Sequence, residues 1–157
     1  MSQIILNFAP QLTDMENTTP RIKICCIKSK AEALMAFRHG ADAIGLVSDM
    51  PSGPGVISTD RIRSITKIIP PSIDGFVLTC LTDSWDLINL IRDVKNRTIQ
   101  LVDKLGLGNY TEIRSSIPCV KIVQVVHVRN EEAIEIALKV DPFVDAILLD
   151  SGNPDAA

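Results

Sequence analysis

The chain has 157 residues, 46% of them apolar and 4% aromatic, and a net charge of −3. That is enough for one domain with a substantial aliphatic core, while scattered Lys and Arg and few stacking rings argue against DNA or RNA as the main partner. No apolar run approaches the ~20 residues of a membrane helix, and residues 1–20 lack the basic-then-apolar pattern of a signal peptide, so a cytoplasmic protein with no membrane partner is expected. The four cysteines, Cys25, Cys26, Cys80 and Cys119, form no CxxC pair, and only His39 and His127 could assist them. Zinc or iron–sulfur ligation is therefore not expected, and free thiols in a reducing compartment account for the cysteines.

Residues 1–20 are polar and aperiodic apart from Ile4-Ile5-Leu6, and read as a loosely ordered extension before a domain over 21–157. The domain opens with a strand over Ile22 to Ile27. A helix from Lys30 to His39 follows, with Ser29 and Glu32 as a capping box and Gly40 as its stop. A second strand spans Ala43 to Ser48. The loop Met50-Pro51-Ser52-Gly53-Pro54-Gly55 leads to a helix from Ser58 to Pro70. It lacks a Gly-Lys-Ser/Thr ending and is no nucleotide P-loop. The third strand, Gly75 to Leu81, precedes a helix from Trp85 to Val94. The fourth, Thr98 to Asp103, precedes a short helix expected to be capped by Asn109. The fifth, Val120 to Val128, leads to a helix capped by Asn130, and Ala146 to Asp150 form the sixth.

Short apolar strands alternating with helices at this spacing predict right-handed βαβ units and a parallel sheet covered on both faces. In such folds chemistry gathers at the carboxyl ends of the strands. Cys25 lies near that end of the first strand, with Lys23 on the same face, so an ammonium is available to lower the thiol's pKa and favour a thiolate base. Cysteine also packs readily as a small hydrophobe, and periodicity alone favours that role. Asp150 ends the sixth strand, where a carboxylate must be solvated, paired or functional; Asp150-Ser151-Gly152-Asn153-Pro154 is equally a good turn. Gln100 would need partners inside the fourth strand, from backbone or from a substrate. Lys23 and Gln100 are the candidate substrate contacts. His127 is a reserve acid/base candidate near the end of the fifth strand.

Taken together, these strings resemble the phosphoribosylanthranilate isomerase family. Arg21-Ile22-Lys23-Ile24-Cys25 is similar to that family's opening strand, where Lys-Ile-Cys-Gly is typical. Gly40-Ala41-Asp42-Ala43-Ile44-Gly45-Leu46-Val47 resembles its second strand, Gln100-Leu101 its fourth, and Ile147-Leu148-Leu149-Asp150-Ser151 its sixth. The resemblance implies an α/β fold, a TIM (βα)8 barrel of which this chain holds the first five βα units and the sixth strand. It also implies an isomerase of tryptophan biosynthesis that needs no cofactor, acts on a small phosphosugar and has Cys25 as general base and Asp150 as general acid. A homo-oligomer is compatible with it.

Two departures stand out. The family's glycine after the cysteine is Cys26 here, and the loop before Ile57 reads Pro54-Gly55-Val56 where the family usually places an arginine that helps hold the substrate. A closed barrel takes ~250 residues, so the family's helix six, units seven and eight and the phosphate-holding loops would lie beyond Ala157. Two other functions stay open: a divergent barrel acting on another phosphosugar or ribosylamine, and a non-catalytic binding protein derived from the barrel.

Overall fold

The computed structural model describes residues 4–6, 20–51 and 53–151. In chain order the elements are β1 (Ile4–Leu6), β2 (Lys23–Ile24), α1 (Lys30–Arg38), β3 (Ala43–Val47), α2 (Thr59–Thr66), β4 (Asp74–Thr79), α3 (Ser84–Val94), β5 (Thr98–Leu101), α4 (Leu107–Ser116), β6 (Lys121–His127), α5 (Glu132–Val140), a 3-10 turn (Asp141–Phe143) and β7 (Ala146–Asp150). One sheet runs in the order β1-β7-β6-β5-β4-β3-β2. From β2 to β7 every pairing is parallel and sequential, the half-barrel expected of five βα units and a sixth strand. β1 is added antiparallel on β7, with Ile5 opposite Leu148. The rest of the N-terminal extension, residues 1–3 and 7–19, lies outside the described residues.

Alternation divides each strand between two cores. Ile44, Leu46 and Val77 pack outward against α1 and α2, Ile99, Leu101 and Ile122 against α3 and α4, and Val126 and Ile147 against α5. The opposite set, Ala43, Val47, Phe76, Leu78, Val123, Val125 and Leu148, forms a second cluster with no helix in it. This second set lines the concave side of the half-barrel. Gln100 shares its parity, as do Lys23, Cys25, His127 and Asp150.

Local signals explain the element ends. Ser29 Oγ accepts from the Glu32 amide, and Glu32 accepts from the Lys28 amide, a reciprocal cap displaced by one residue from the expected box. Asp83 caps α3 through the Trp85 and Asp86 amides, and Asn130 Oδ1 accepts from the Glu132 amide at the start of α5. Asn109 does not cap α4: the helix starts earlier, after Gly106, and the Asn109 side chain donates to the Thr82 carbonyl instead. Tyr110 is fully buried, donates to Gln124 Oε1 at 2.7 Å and stacks on Phe143, so its role is structural.

The first strand is shorter than its sequence suggests. Only Lys23 and Ile24 pair in register with β3, because Cys26 adopts a left-handed backbone with φ of 62°. That turn also overrules strict alternation: Cys25 and Cys26 both pack against the concave cluster instead of opposite faces. A left-handed cysteine costs ~1–2 kcal/mol, and the site is built around it. Gly55, itself at φ 89°, comes so close that a Cβ there would lie 2.5 Å from Cys26 Cβ.

Candidate active site

The concave face carries two polar groups at the far ends of its parallel strands. At the first, Lys23 Nζ donates to Gln100 Oε1, lies 4.5 Å from the centre of the Phe76 ring, and interacts with the Cys25 thiol. Lys23 on β2 reaches Gln100 on β5 because the sheet curls, bringing two non-adjacent strands within one side chain of each other. Gln100 is 1% exposed, and the ammonium answers its need for a partner.

Cys25 has a prepared seat. A Cβ on Gly45 would stand 2.9 Å from Cys25 Sγ and 3.2 Å from both Cys25 Cα and Leu78 Cδ1. Glycine inside an otherwise fully buried strand is therefore what lets the thiol lie against the sheet. Burial pushes the Cys25 pKa above its ordinary 9.0, and the nearby Lys23 ammonium pulls it down only in part. Burial also lowers the Lys23 pKa from 10.5, against the opposing pull of Cys25. The expected help from Lys23 is present, but desolvation outweighs it, and the thiol rests protonated at neutral pH.

At the second group, Asp150 closes β7 and pairs in register with His127, the last residue of β6. His127 Nδ1 stands 3.8 Å from Asp150 Oδ2, and each side chain is about one-third exposed (33% and 34%). Asp150 thus ends a strand buried among apolar side chains while reaching the open rim.

The structure brings Lys23, Cys25 and Gln100 together, and His127 and Asp150 together. It places the two groups on opposite flanks of one concave surface. Gly45 and Phe76 were not singled out from sequence. A glycine within a β-branched strand was the available signal for the first, and concave parity with Lys23 for the second. Asp103, which follows β5, contributes a backbone carbonyl to Gln124. Among the described residues no group of three His, Cys, Asp or Glu is close enough to hold a metal ion. Two grooves lie elsewhere, between α3 and α4 and between α4 and the 3-10 turn, on the outer helical surface.

No protein-family model matches the chain. The chain is 30% identical over 132 residues to N-(5'-phosphoribosyl)anthranilate isomerase 2 of Methanosarcina mazei, a match covering 83% of this chain and 58% of that protein. It superimposes on the crystal structure of phosphoribosyl anthranilate isomerase from Thermotoga maritima with a TM-score of 0.75 and 27% identity, over 86% of this chain and 63% of the other. A phosphoribosyl anthranilate isomerase solved with reduced 1-(o-carboxyphenylamino)-1-deoxyribulose 5-phosphate gives a TM-score of 0.72 and 28% identity, over 83% and 64%. The chain spans about three-fifths of the length of the curated relatives it matches. No helix among the described residues is long and apolar enough to cross a membrane. The chain is thus similar in sequence to phosphoribosylanthranilate isomerases over more than four-fifths of its length, and shares their succession of strands and helices.

Proposed function

We propose that the chain carries the acid and base of a phosphoribosylanthranilate isomerase, converting N-(5-phosphoribosyl)anthranilate to the carboxyphenylamino-deoxyribulose phosphate in tryptophan biosynthesis. The observation that carries the reading is the pairing of a seated thiol, Cys25 against Gly45, with a rim carboxyl, Asp150, across one concave face. The related structure that holds a reduced carboxyphenylamino sugar phosphate supports the substrate class. Residues 21–157 form the barrel portion in this reading, and residues 1–20 an appendage to it.

Asp150, protonated, gives its proton to the furanose ring oxygen. The C1–O electron pair leaves to that oxygen, the anilino nitrogen lone pair makes an iminium, and the ring opens. Cys25 as thiolate then takes the C2 proton, and the C2–H electrons quench the iminium to an enolamine, which tautomerises to the ketone. A buried thiol of raised pKa is scarce as thiolate but strongly basic once formed. Lys23 offsets part of that scarcity. Lys23 and Gln100, locked to each other beneath the thiol, are the proposed polar floor for the substrate.

One feature favours a changed substrate on the same machinery. The loop before α2 packs its backbone onto Cys26, with the Pro54 carbonyl 3.4 Å from Cys26 Sγ, and Pro54-Gly55-Val56 brings no basic side chain over the thiol. Loss of phosphoribosylanthranilate fluorescence, followed with the protein as its gene encodes it and with Cys25→Ala, tests the main reading. Turnover abolished by the substitution is expected. A folded protein with no turnover of this substrate overturns it, and a panel of phosphosugars and ribosylamines then tests the second.

A further inference from the structure

His127 is a residue on the concave face whose polar atoms the mechanism above leaves unused. It sits in register with Asp150, on the concave side of the neighbouring strand. Its Nδ1 is buried and has no hydrogen-bond partner among the described residues. Buried polar atoms are almost always paired, so an orphan at a rim calls for a reason. Its nearest anionic atom is Asp150 Oδ2, at 3.8 Å. Charged residues that follow these strands include Asp103 and Lys104, after β5, and Arg129, after β6. All three are exposed, and none bonds to Nδ1. Catalytic hydrogen bonds are commonly long before substrate binds and tighten with it.

We propose that His127 is a positioning residue for Asp150: its Nδ1–H holds Oδ2 of the carboxyl and leaves Oδ1 to carry the transferable proton toward the substrate. This rests on the reading of Asp150 as the general acid. The step balances without a further reagent. The proton moves from Oδ1 to the ring oxygen, the C1–O electron pair follows it there, and the imidazole keeps its own proton throughout. Before transfer Nδ1–H faces a neutral carboxyl and the contact is weak. As the proton leaves, charge spreads over both carboxyl oxygens and the same contact becomes charge-assisted. An interaction that strengthens only as the reaction proceeds raises kcat and leaves KM in place.

The test compares His127→Asn, His127→Phe and Asp150→Asn in the isomerase assay. An asparagine amide nitrogen falls close to the Nδ1 position, whereas phenylalanine keeps the ring and loses the donor. We expect His127→Phe to lower kcat by about ten- to a hundredfold with KM within twofold, and His127→Asn to recover most of it. Asp150→Asn should be inactive or nearly so, its kcat down by about 10²–10⁴-fold. If Asp150→Asn is inactive but His127→Phe turns over normally, or if asparagine is as poor as phenylalanine, the positioning role is overturned while Asp150 stays the acid. If Asp150→Asn keeps its turnover, the acid assignment fails and this inference fails with it. Imidazole nitrogen shifts give a readout free of turnover, since the sequence has only two histidines. The neutral ring should carry its proton on Nδ1, and a ring protonated on Nε2 instead would overturn the proposal.

Discussion

The two ends of the sheet treat their polar groups in opposite ways. At the amino end the carboxylates are tied down: Asp42 accepts from the Ile22 amide at 2.7 Å, Asp74 from Arg21 at 3.0 Å, and Asp145 from both the Ile122 amide and Arg114 at 2.7 and 2.8 Å. Asp42 and Asp145 each fasten the start of one strand to its neighbour, and Asp74 reaches past β3 to the residue before β2. At the carboxyl end a thiol sits beside a partly desolvated ammonium, and a histidine nitrogen lies buried without a hydrogen bond near a carboxyl. The hydrogen-bonded carboxylates at one end tie strands together, and the groups at the other end are the ones to which the proposed function gives chemistry. The division implies that substitutions at the carboxyl end cost rate at little cost in stability, and those at the amino end the reverse.

The largest effects are expected from removing the two poles themselves. Cys25→Ala and Asp150→Asn should each lower kcat by about 10²–10⁴-fold with an unfolding midpoint close to that of the parent protein. A matching loss of stability would make these groups structural. Gly45→Ala comes next, since its methyl must displace the thiol it would meet at 2.9 Å. About a hundredfold loss in kcat/KM is expected from such a misplacement, with the thiol's reaction rate toward a maleimide probe changed in parallel.

Lys23→Met sharpens the electrostatics. Burial raises the Cys25 pKa and Lys23 opposes it, so removing the ammonium should move the acid limb of kcat/KM to higher pH and slow turnover near neutrality by about tenfold, about one pKa unit's worth. An unmoved limb would show that Lys23 does not tune the base. The same shift has a stability sign. A thiol whose folded pKa lies above its unfolded one contributes stability that is whole below the ordinary value of 9.0 and is lost as pH rises through the folded value. Urea midpoints should therefore fall on the alkaline side of 9.0, and Cys25→Ala should flatten the fall.

At the other end, Asp145→Ala should cost about 1–2 kcal/mol of stability by freeing the Ile122 amide and Arg114, with kcat unchanged in the folded protein. The smallest effect is expected at Cys26→Gly, which relieves the left-handed cysteine and should raise stability by up to about 1 kcal/mol. A destabilised Cys26→Gly protein would mean that packing of this side chain against Gly55 outweighs its backbone strain.

Much of the architecture is local in origin and was legible in the chain. Six β-rich runs spaced by helical stretches, with Ser29, Asn130 and Asp150 near element ends, already imply parallel βαβ units, because short-range sterics and the need to bury both sheet faces leave few alternatives. Cys25, Asp150, Lys23, Gln100 and His127 were likewise marked by their places in strands, since side-chain parity can be counted along the sequence. What the residues do to one another was not countable. Lys23 meets Gln100 only because the sheet curls; Cys26 turns the first strand away from regular pairing because Gly55, 29 positions later, leaves it room. The protonation of Cys25 was decided in the same way. The sequence places an ammonium two residues from the thiol, but the balance between that charge and desolvation depends on how deeply both are buried, which only the assembled concave core determines.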